Sequence, residues 1–225
     1  MNEDKLKHHL KNNNLDSHQI LLQNFNQLNN ELDFNDLSFL GKISFNRLIK
    51  DSCKFRIRFK NYSLSNSGDI KIKNPIFVMG LPRSGTTYLH NLLIHFLNRD
   101  GLEFWELTEP LPYFKNRYID IRFRKFKTFI IYLLFRLFVP KVQLMHPAKV
   151  NSFEECWHLF KHSLSVYNLD FQFGLNRFGG WLSKNNVFQA YKEYSDMLKI
   201  LSHNENKKKL VLKCPEHMLF YPHIY

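Results

Sequence analysis

A short apolar run that passes through a glycine-containing loop into a helical pattern constrains this chain more than any other feature. Residues 75–80, PIFVMG, have the length and composition of a buried strand. The stretch GTTYLHNLLIHFL at 85–97 then repeats its apolar residues on one helical face. Strand, tight loop and helix form the first half of a βαβ unit, so the sequence predicts an α/β domain with a parallel sheet.

The loop itself, GLPRSGTT from Gly80 to Thr87, concentrates groups that bind anions. The first amides of a helix have no partner within the helix, and the helix dipole adds positive charge there. Gly85 lets the backbone approach an oxyanion closely, and Arg83 supplies a planar cation that can bind phosphate or sulfate through two hydrogen bonds. Hydroxyl donors follow at Ser84, Thr86 and Thr87. The alternative is an ordinary turn with incidental hydroxyls.

The spacing of Gly80 and Gly85 is that of a nucleoside-triphosphate loop, G-x-x-x-x-G-K-[ST]. The lysine of that pattern would stand at position 86, where this chain has Thr86. Since that lysine reaches the outer phosphates of the nucleotide, its absence argues against an ATPase or a kinase.

The rest of the chain suggests three parts. Residues 1–19 are polar and predict a mobile tail, residues 20–74 predict a helical arm with a linker, and the α/β domain begins at 75. Further periodic or apolar stretches predict helices at 117–139, 152–166 and 187–203 and a strand at 210–214.

Composition narrows the choice of partner. The 225 residues include 32 Lys and Arg against 20 Asp and Glu, a formal charge of +12, which favours nucleic acid, a membrane surface or a phosphate- or sulfate-bearing small molecule. No nucleic-acid-binding motif supports the first of these. The three cysteines form no CxxC pair, which argues against a disulfide scaffold or zinc site. No secretory signal is visible, and the apolar stretch 128–139 is too short for a membrane span, so we expect a cytoplasmic protein.

Four segments, taken in order, resemble one family. PIFVMGLPRSGTTYLHNLL looks like the 5′-phosphosulfate loop of the sulfotransferase superfamily, in the branch with P-R-S-G-T-T that includes the tyrosylprotein sulfotransferases and a bacterial-type group. The segments FWELTEPLP (104–112), MHPAKVNSFEECWHLF (145–160) and LVLKCPEHMLF (210–220) are similar to later segments of the bacterial-type group. Residues 32–34, LDF, match the arm before the loop.

The resemblance implies a three-layer α/β fold with a P-loop-like strand–loop–helix, a helical N-terminal arm and a helical lid insertion. It implies transfer of a sulfuryl group from 3′-phosphoadenosine 5′-phosphosulfate (PAPS), without a metal, to a hydroxyl of a small or lipid-like acceptor. The oligomeric state stays open. The residues expected to bind the co-substrate are Leu81, Pro82, Arg83, Ser84, Gly85, Thr86 and Thr87.

The catalytic candidates are Arg83, Glu106 and His146. Arg83 would neutralise charge on the leaving phosphate. Related sulfotransferases place a glutamate base about 20 residues after the loop, which suggests Glu106, and the adjacent Trp105 would raise the pKa of Glu106 by excluding water. The alternative for Glu106 is a capping or surface role. His146 is the second candidate for the base.

Three other groups of residues have two interpretations each. Ser152 and Glu155 fit a capping box, with Glu154 beside them, although the paired acids could serve a site. Lys213, Glu216 and His217 end a strand at the edge where α/β proteins bind ligands, or they organise the turn at Pro215. The basic and apolar stretch 117–138 predicts a lid over an acceptor pocket with its basic face in water, or alternatively a helix on a membrane surface.

The family carries a later R-D-P-type segment whose arginine, with a serine beyond it, holds the 3′-phosphate of the co-substrate. The sequence reaches Tyr225 before such a segment. The resemblance therefore implies an incomplete sheet and an incomplete nucleotide site, as in a fragment, a truncated product or a divergent remnant. The alternative function is an inactive paralogue or an anion-binding fragment. We expect the 225 residues alone to lack sulfotransferase activity and to be marginally stable.

Overall fold

The computed structural model describes residues 6, 10, 18–65, 72–81, 83–138, 149–185 and 187–220. The α-helices are α1 (Gln19–Glu31), α2 (Phe39–Ser65), α3 (Thr86–Phe96), α4 (Phe104–Thr108), α5 (Arg117–Phe138), α6 (Trp157–Phe160), α7 (Asn168–Phe173), α8 (Phe178–Lys184) and α9 (Phe188–Asn204). The strands are β1 (Ile76–Val78) and β2 (Val211–Lys213), and single 3-10 turns cover Lys161–Ser163 and Pro215–Met218.

The two strands pair in parallel, which confirms the predicted α/β class. The register aligns Ile76 with Val211 and Val78 with Lys213. Parallel strands need a crossover between them, and here it contains the helices α3 to α9. Val78, Val211 and Ile94 of α3 form a buried apolar cluster that joins the first crossover helix to the sheet.

The chain divides into two compact units. One unit consists of Met1–Gly68, Phe160–Asp196 and Glu216–Tyr225, and the other of Asp69–Leu159 and Met197–Pro215. We call them the helical unit and the sheet unit. The helical unit contains α1, α2, α7 and α8, and the sheet unit contains both strands with α3, α4 and α5.

A buried ion pair joins distant segments of the helical unit. Arg56 of α2 donates two hydrogen bonds, of 2.8 and 2.7 Å, to the carboxylate of Glu193 in α9. Its Nε atom also donates to Nδ1 of His18, at 3.2 Å. All three side chains are buried, so the pairing satisfies charges that would otherwise be costly in the interior.

The tail and the arm that the sequence predicts at the N-terminus lie partly outside the described residues. Four residues of the predicted mobile tail are described: Leu6, Leu10 and His18 are buried, and Gln19 is exposed. In the arm predicted at 20–74, the Ser- and Asn-rich stretch from residue 61, which the sequence predicts as the linker, is helical as far as Ser65, where α2 ends.

The helix predicted at 152–166 is wrong in extent, and so is its capping box. Helical structure there is limited to α6 and the 3-10 turn that follows it. The Ser152 hydroxyl donates to the carbonyl of Lys149, at 2.8 Å, and Glu155 forms an ion pair with Lys213 instead of capping a helix. The 3-10 turn ends at Leu164, whose φ of +58° lies in the left-handed region.

None of the helices that the structure describes combines the length and the apolarity needed to cross a membrane.

Candidate functional site

The predicted anion loop lies between β1 and α3, where the sequence placed it. Gly85 is the residue that precedes the helix, and its φ of +84° lies in the left-handed region that favours glycine. The amide of Leu89 donates to the Gly85 carbonyl, at 3.0 Å, so the helical ladder begins directly after the loop. The amides of the first helical turn are therefore directed toward the loop, as anion binding requires.

Position 80 requires a glycine because neighbouring side chains pack closely against it. A Cβ atom at this position would lie 2.7 Å from the Thr86 methyl and 3.0 Å from the Ser84 hydroxyl. The Ser84 hydroxyl and amide both point at the Leu81 carbonyl, at 2.6 and 3.2 Å. The loop is thus folded tightly on itself, and the Ser84 hydroxyl is occupied within it.

Lys213, at the carboxyl end of β2, brings a buried positive charge to this loop. Its side chain is completely buried, and Nζ donates to the Thr87 hydroxyl, at 2.9 Å. The same Nζ atom lies 3.4 Å from the Glu155 carboxylate. Because β1 and β2 are parallel neighbours, both carboxyl ends meet at one sheet edge, and Lys213 reaches the first turn of α3 from there.

Arg83 has an unusual backbone and an exposed side chain. Its φ is +68°, uncommon for a residue other than glycine, and such conformations concentrate at functional sites. Leu81, Ser84, Gly85 and Thr87 are also exposed. The loop therefore presents a cationic side chain and backbone groups at the surface, with the Lys213 ammonium beneath it.

The contacts of Glu106 match the alternative interpretation, in which this residue caps a helix. With Glu103 it forms a capping box at the start of α4, and its carboxylate accepts from the Glu103 amide, at 2.5 Å. Lys207 Nζ lies 2.6 Å from both carboxylate oxygens. Burial raises the pKa of Glu106, and the Lys207 charge opposes that rise. In this arrangement both oxygens of Glu106 already have partners.

Two of the predicted site residues, Pro82 and His146, lie outside the described residues. The predicted role of His146 as a base therefore stays a prediction.

His90 is a buried polar residue that the sequence analysis did not single out. Its Nε2 atom bonds the Val211 carbonyl of β2, at 3.0 Å, and burial lowers its pKa. This bond joins α3 to the strand that carries Lys213. The apolar pattern of the helix gave no signal for it, because Leu89, Leu92 and Phe96, which share the apolar face in the sequence, are exposed, whereas His90 and Ile94 are buried.

The comparisons with known proteins agree with this geometry. The family described as Sulfotransferase family matches residues 75–225. The crystal structure of sulfotransferase STF1 from Mycobacterium tuberculosis is 22% identical, with a TM-score of 0.63, and the match covers 100% of this chain and 58% of that chain. Sulfotransferase STF9 from Mycobacterium avium is 16% identical, with a TM-score of 0.74, and the match covers 99% of this chain and 58% of that chain.

The chain thus spans a little over half the length of each of these two structures. At such identities the likeness concerns the fold. A comparison with curated protein sequences found no match.

Proposed function

The chain belongs to the sulfotransferase family, and from that premise we propose that it carries the donor half of a PAPS-dependent sulfotransferase site. This site transfers the sulfuryl group to a hydroxyl of a small or lipid-like acceptor. The loop residues 81–87 bind the 5′-phosphosulfate, and Lys213 and Arg83 provide positive charge.

The observation that carries the proposal is the contact between Lys213 and Thr87. A nucleoside-triphosphate loop has its lysine on the first helical turn, whereas this chain has Thr86 at that position. Lys213 brings an ammonium to the same turn from the neighbouring strand. A completely buried lysine is costly unless its charge is used or paired, and the partly exposed Glu155, at 3.4 Å, is a loose partner. This arrangement suits an additional anion.

The residues fit the chemistry of sulfuryl transfer. The donor supplies an electrophilic sulfur, and negative charge builds on the phosphate oxygen that leaves. Fixed cations and amides that face this oxygen stabilise the charge as it develops, and one such donor is typically worth about 3 kcal/mol of barrier. Lys213 is held by β2 and by Thr87, so its charge needs little reorganisation during the reaction.

The proton of the acceptor hydroxyl needs a base. Glu106 could accept it only after leaving Lys207 and the Glu103 amide, so its contacts support a positioning role in the segment that follows α3. Of the two candidate bases, we therefore propose His146 as the proton acceptor and Glu106 as a residue that holds α4 in place.

The test is donor discrimination by the full-length protein. Incubated with PAPS and a panel of hydroxyl-bearing acceptors, it should release 3′,5′-ADP only when an acceptor is present. Incubated with ATP, it should release no ADP above background. Steady hydrolysis of ATP, or a folded protein that neither binds nor consumes PAPS, contradicts the proposal.

A further inference from the structure

The helix α5 buries three polar residues and exposes many of its apolar ones. Asp120, Arg124 and Thr128 are buried, whereas Phe126 is 62% exposed and Leu137 is 67% exposed. The outward row is a continuous apolar stripe along a helix about 33 Å long. We call it the α5 stripe, and its members are Ile119, Phe123, Phe126, Ile130, Leu133 and Leu137.

Specific bonds fix this orientation. Asp120 accepts from the amides of Tyr113 and Phe114, at 2.6 and 3.1 Å. Arg124 donates to the Glu109 carbonyl, at 2.7 Å, and to the Glu205 carboxylate, at 2.8 Å. Rotating the helix to bury the α5 stripe would break these bonds and expose apolar groups elsewhere, at a cost of several kcal/mol for a buried ion pair alone. The apolar face is therefore an outer surface of the sheet unit.

The lid interpretation expected the apolar half of this helix to be covered and its basic side to face water; Arg122 and Arg136 are exposed, but so are the apolar residues. That expectation followed the general rule that apolar residues face the interior. In α5 the rule is inverted because the inward face satisfies a buried charge network with Asp120, Arg124 and Glu205.

The charge around the α5 stripe favours one kind of partner. The helix contains six basic residues and one acidic residue, and the acidic residue, Asp120, faces inward. Arg122 and Arg136 are exposed beside the stripe, and Lys125 is partly exposed. The whole chain carries a formal charge of +12. An apolar stripe flanked by cations matches an anionic lipid surface, whose acyl region accepts the apolar face and whose headgroups pair with the cations.

We propose that α5 docks this protein on an anionic membrane surface, lying in the interface with the α5 stripe in the acyl boundary. The helix lies on the bilayer and does not cross it, in keeping with its basic residues. The docking is independent of the donor site proposed above, because it uses other residues.

Vesicle sedimentation of the full-length protein tests this docking. Vesicles of phosphatidylcholine with phosphatidylserine should pellet the protein, and vesicles of phosphatidylcholine alone should pellet much less. The variant Phe126→Ser/Leu137→Ser should partition at least about tenfold more weakly, because two exposed apolar side chains are lost. Arg122→Gln/Arg136→Gln should weaken binding about thirtyfold on the anionic vesicles only.

The matched control is Phe171→Ser, which removes an aromatic side chain 88% exposed on α7 and should leave partitioning unchanged. All the substituted residues are exposed, so the variants should fold. The proposal fails if the protein does not bind anionic vesicles, or if Phe171→Ser and Phe126→Ser/Leu137→Ser behave alike. It also fails if light scattering shows a dimer that Phe126→Ser/Leu137→Ser dissociates, since a second copy would then cover the stripe.

Discussion

The Nζ atom of Lys213 donates a 2.9 Å hydrogen bond to the hydroxyl of Thr87, across 126 residues of sequence. The bond brings the end of β2 to the first turn of α3. It places a buried positive charge at the loop where the sequence predicts an anion.

Replacing Lys213 with methionine should keep most of the side-chain volume and remove the charge. In the full-length enzyme we expect Lys213→Met to lower kcat by about 10²–10³-fold, as for loss of one preorganised donor. Lys209→Met is the matched control, because Lys209 is exposed and bonds through its backbone amide. Steady-state kinetics of the two variants measure the difference, and equal rates would remove Lys213 from the site.

Gly80 should tolerate no side chain while Thr86 is present. Gly80→Ala places a Cβ 2.7 Å from the Thr86 methyl, and we expect a loss of about 1–3 kcal/mol in the free energy of unfolding. Gly80→Ala/Thr86→Ser removes that methyl and should recover part of the loss. Gly180→Ala is the control, since nothing lies within 4 Å of its Cβ and it should be neutral or stabilising. Urea unfolding checks all three, and an absent rescue would contradict the packing argument.

Substitutions of Glu106 and Lys207 should have coupled effects on the free energy of unfolding. Glu106 is buried and Lys207 is partly exposed, so Lys207→Met, which leaves a buried carboxylate without its cation, should destabilise by about 3–5 kcal/mol and Glu106→Gln by less, with the double variant below their sum. A positioning role further predicts that turnover per folded molecule falls far less than the roughly 10²–10⁴-fold expected for a lost base. A drop of that size in a folded Glu106→Gln protein would restore Glu106 as the base.

Two buried histidines should make the fold sensitive to acid. Burial lowers the pKa of His18 and of His217 from 6.5 to about 4. Between pH 6.5 and about pH 4 these two histidines bind protons in the unfolded chain but not in the folded chain. The stability that they contribute is therefore fully present above about pH 6.5 and is lost as the pH falls toward 4. Each group contributes on the order of 3 kcal/mol.

Thermal unfolding across this pH range measures the effect. His18→Asn keeps an acceptor for Arg56 and cannot be protonated, so it should reduce the loss of stability at acid pH. If the stability of His18→Asn fell as steeply with decreasing pH as that of the wild type, His18 would not titrate as described.

The sequence predicted local features well and long-range contacts poorly. The strand, the loop and α3 follow from the apolar run and the glycines at 80 and 85, which act over a few residues. Lys207 and Lys213 are more than 100 residues away from Glu106 and Thr87, with which they bond, and no periodicity encodes such pairings. The inverted α5 shows the same limit, because its orientation depends on Glu205, which belongs to another part of the chain.

The family relation rests on a combination of segments, whereas the proposed roles rest on individual contacts. Ser152 and Glu155 illustrate the difference. They belong to a segment that resembles the family, yet their pattern of a capping box did not predict their bonds, since Glu155 pairs with Lys213. A residue pattern can thus identify a segment correctly and still assign its side chains the wrong local role.

A calorimetric titration of the full-length protein with 3′,5′-ADP, the nucleotide product of the proposed reaction, tests the central claim most directly. We predict saturable binding at one site, weakened at least about tenfold by Lys213→Met and unchanged by Lys209→Met, because a charge-assisted hydrogen bond is worth about 1.5–3 kcal/mol. Absence of binding to the folded protein, or equal affinity in the wild type and Lys213→Met, would contradict the account.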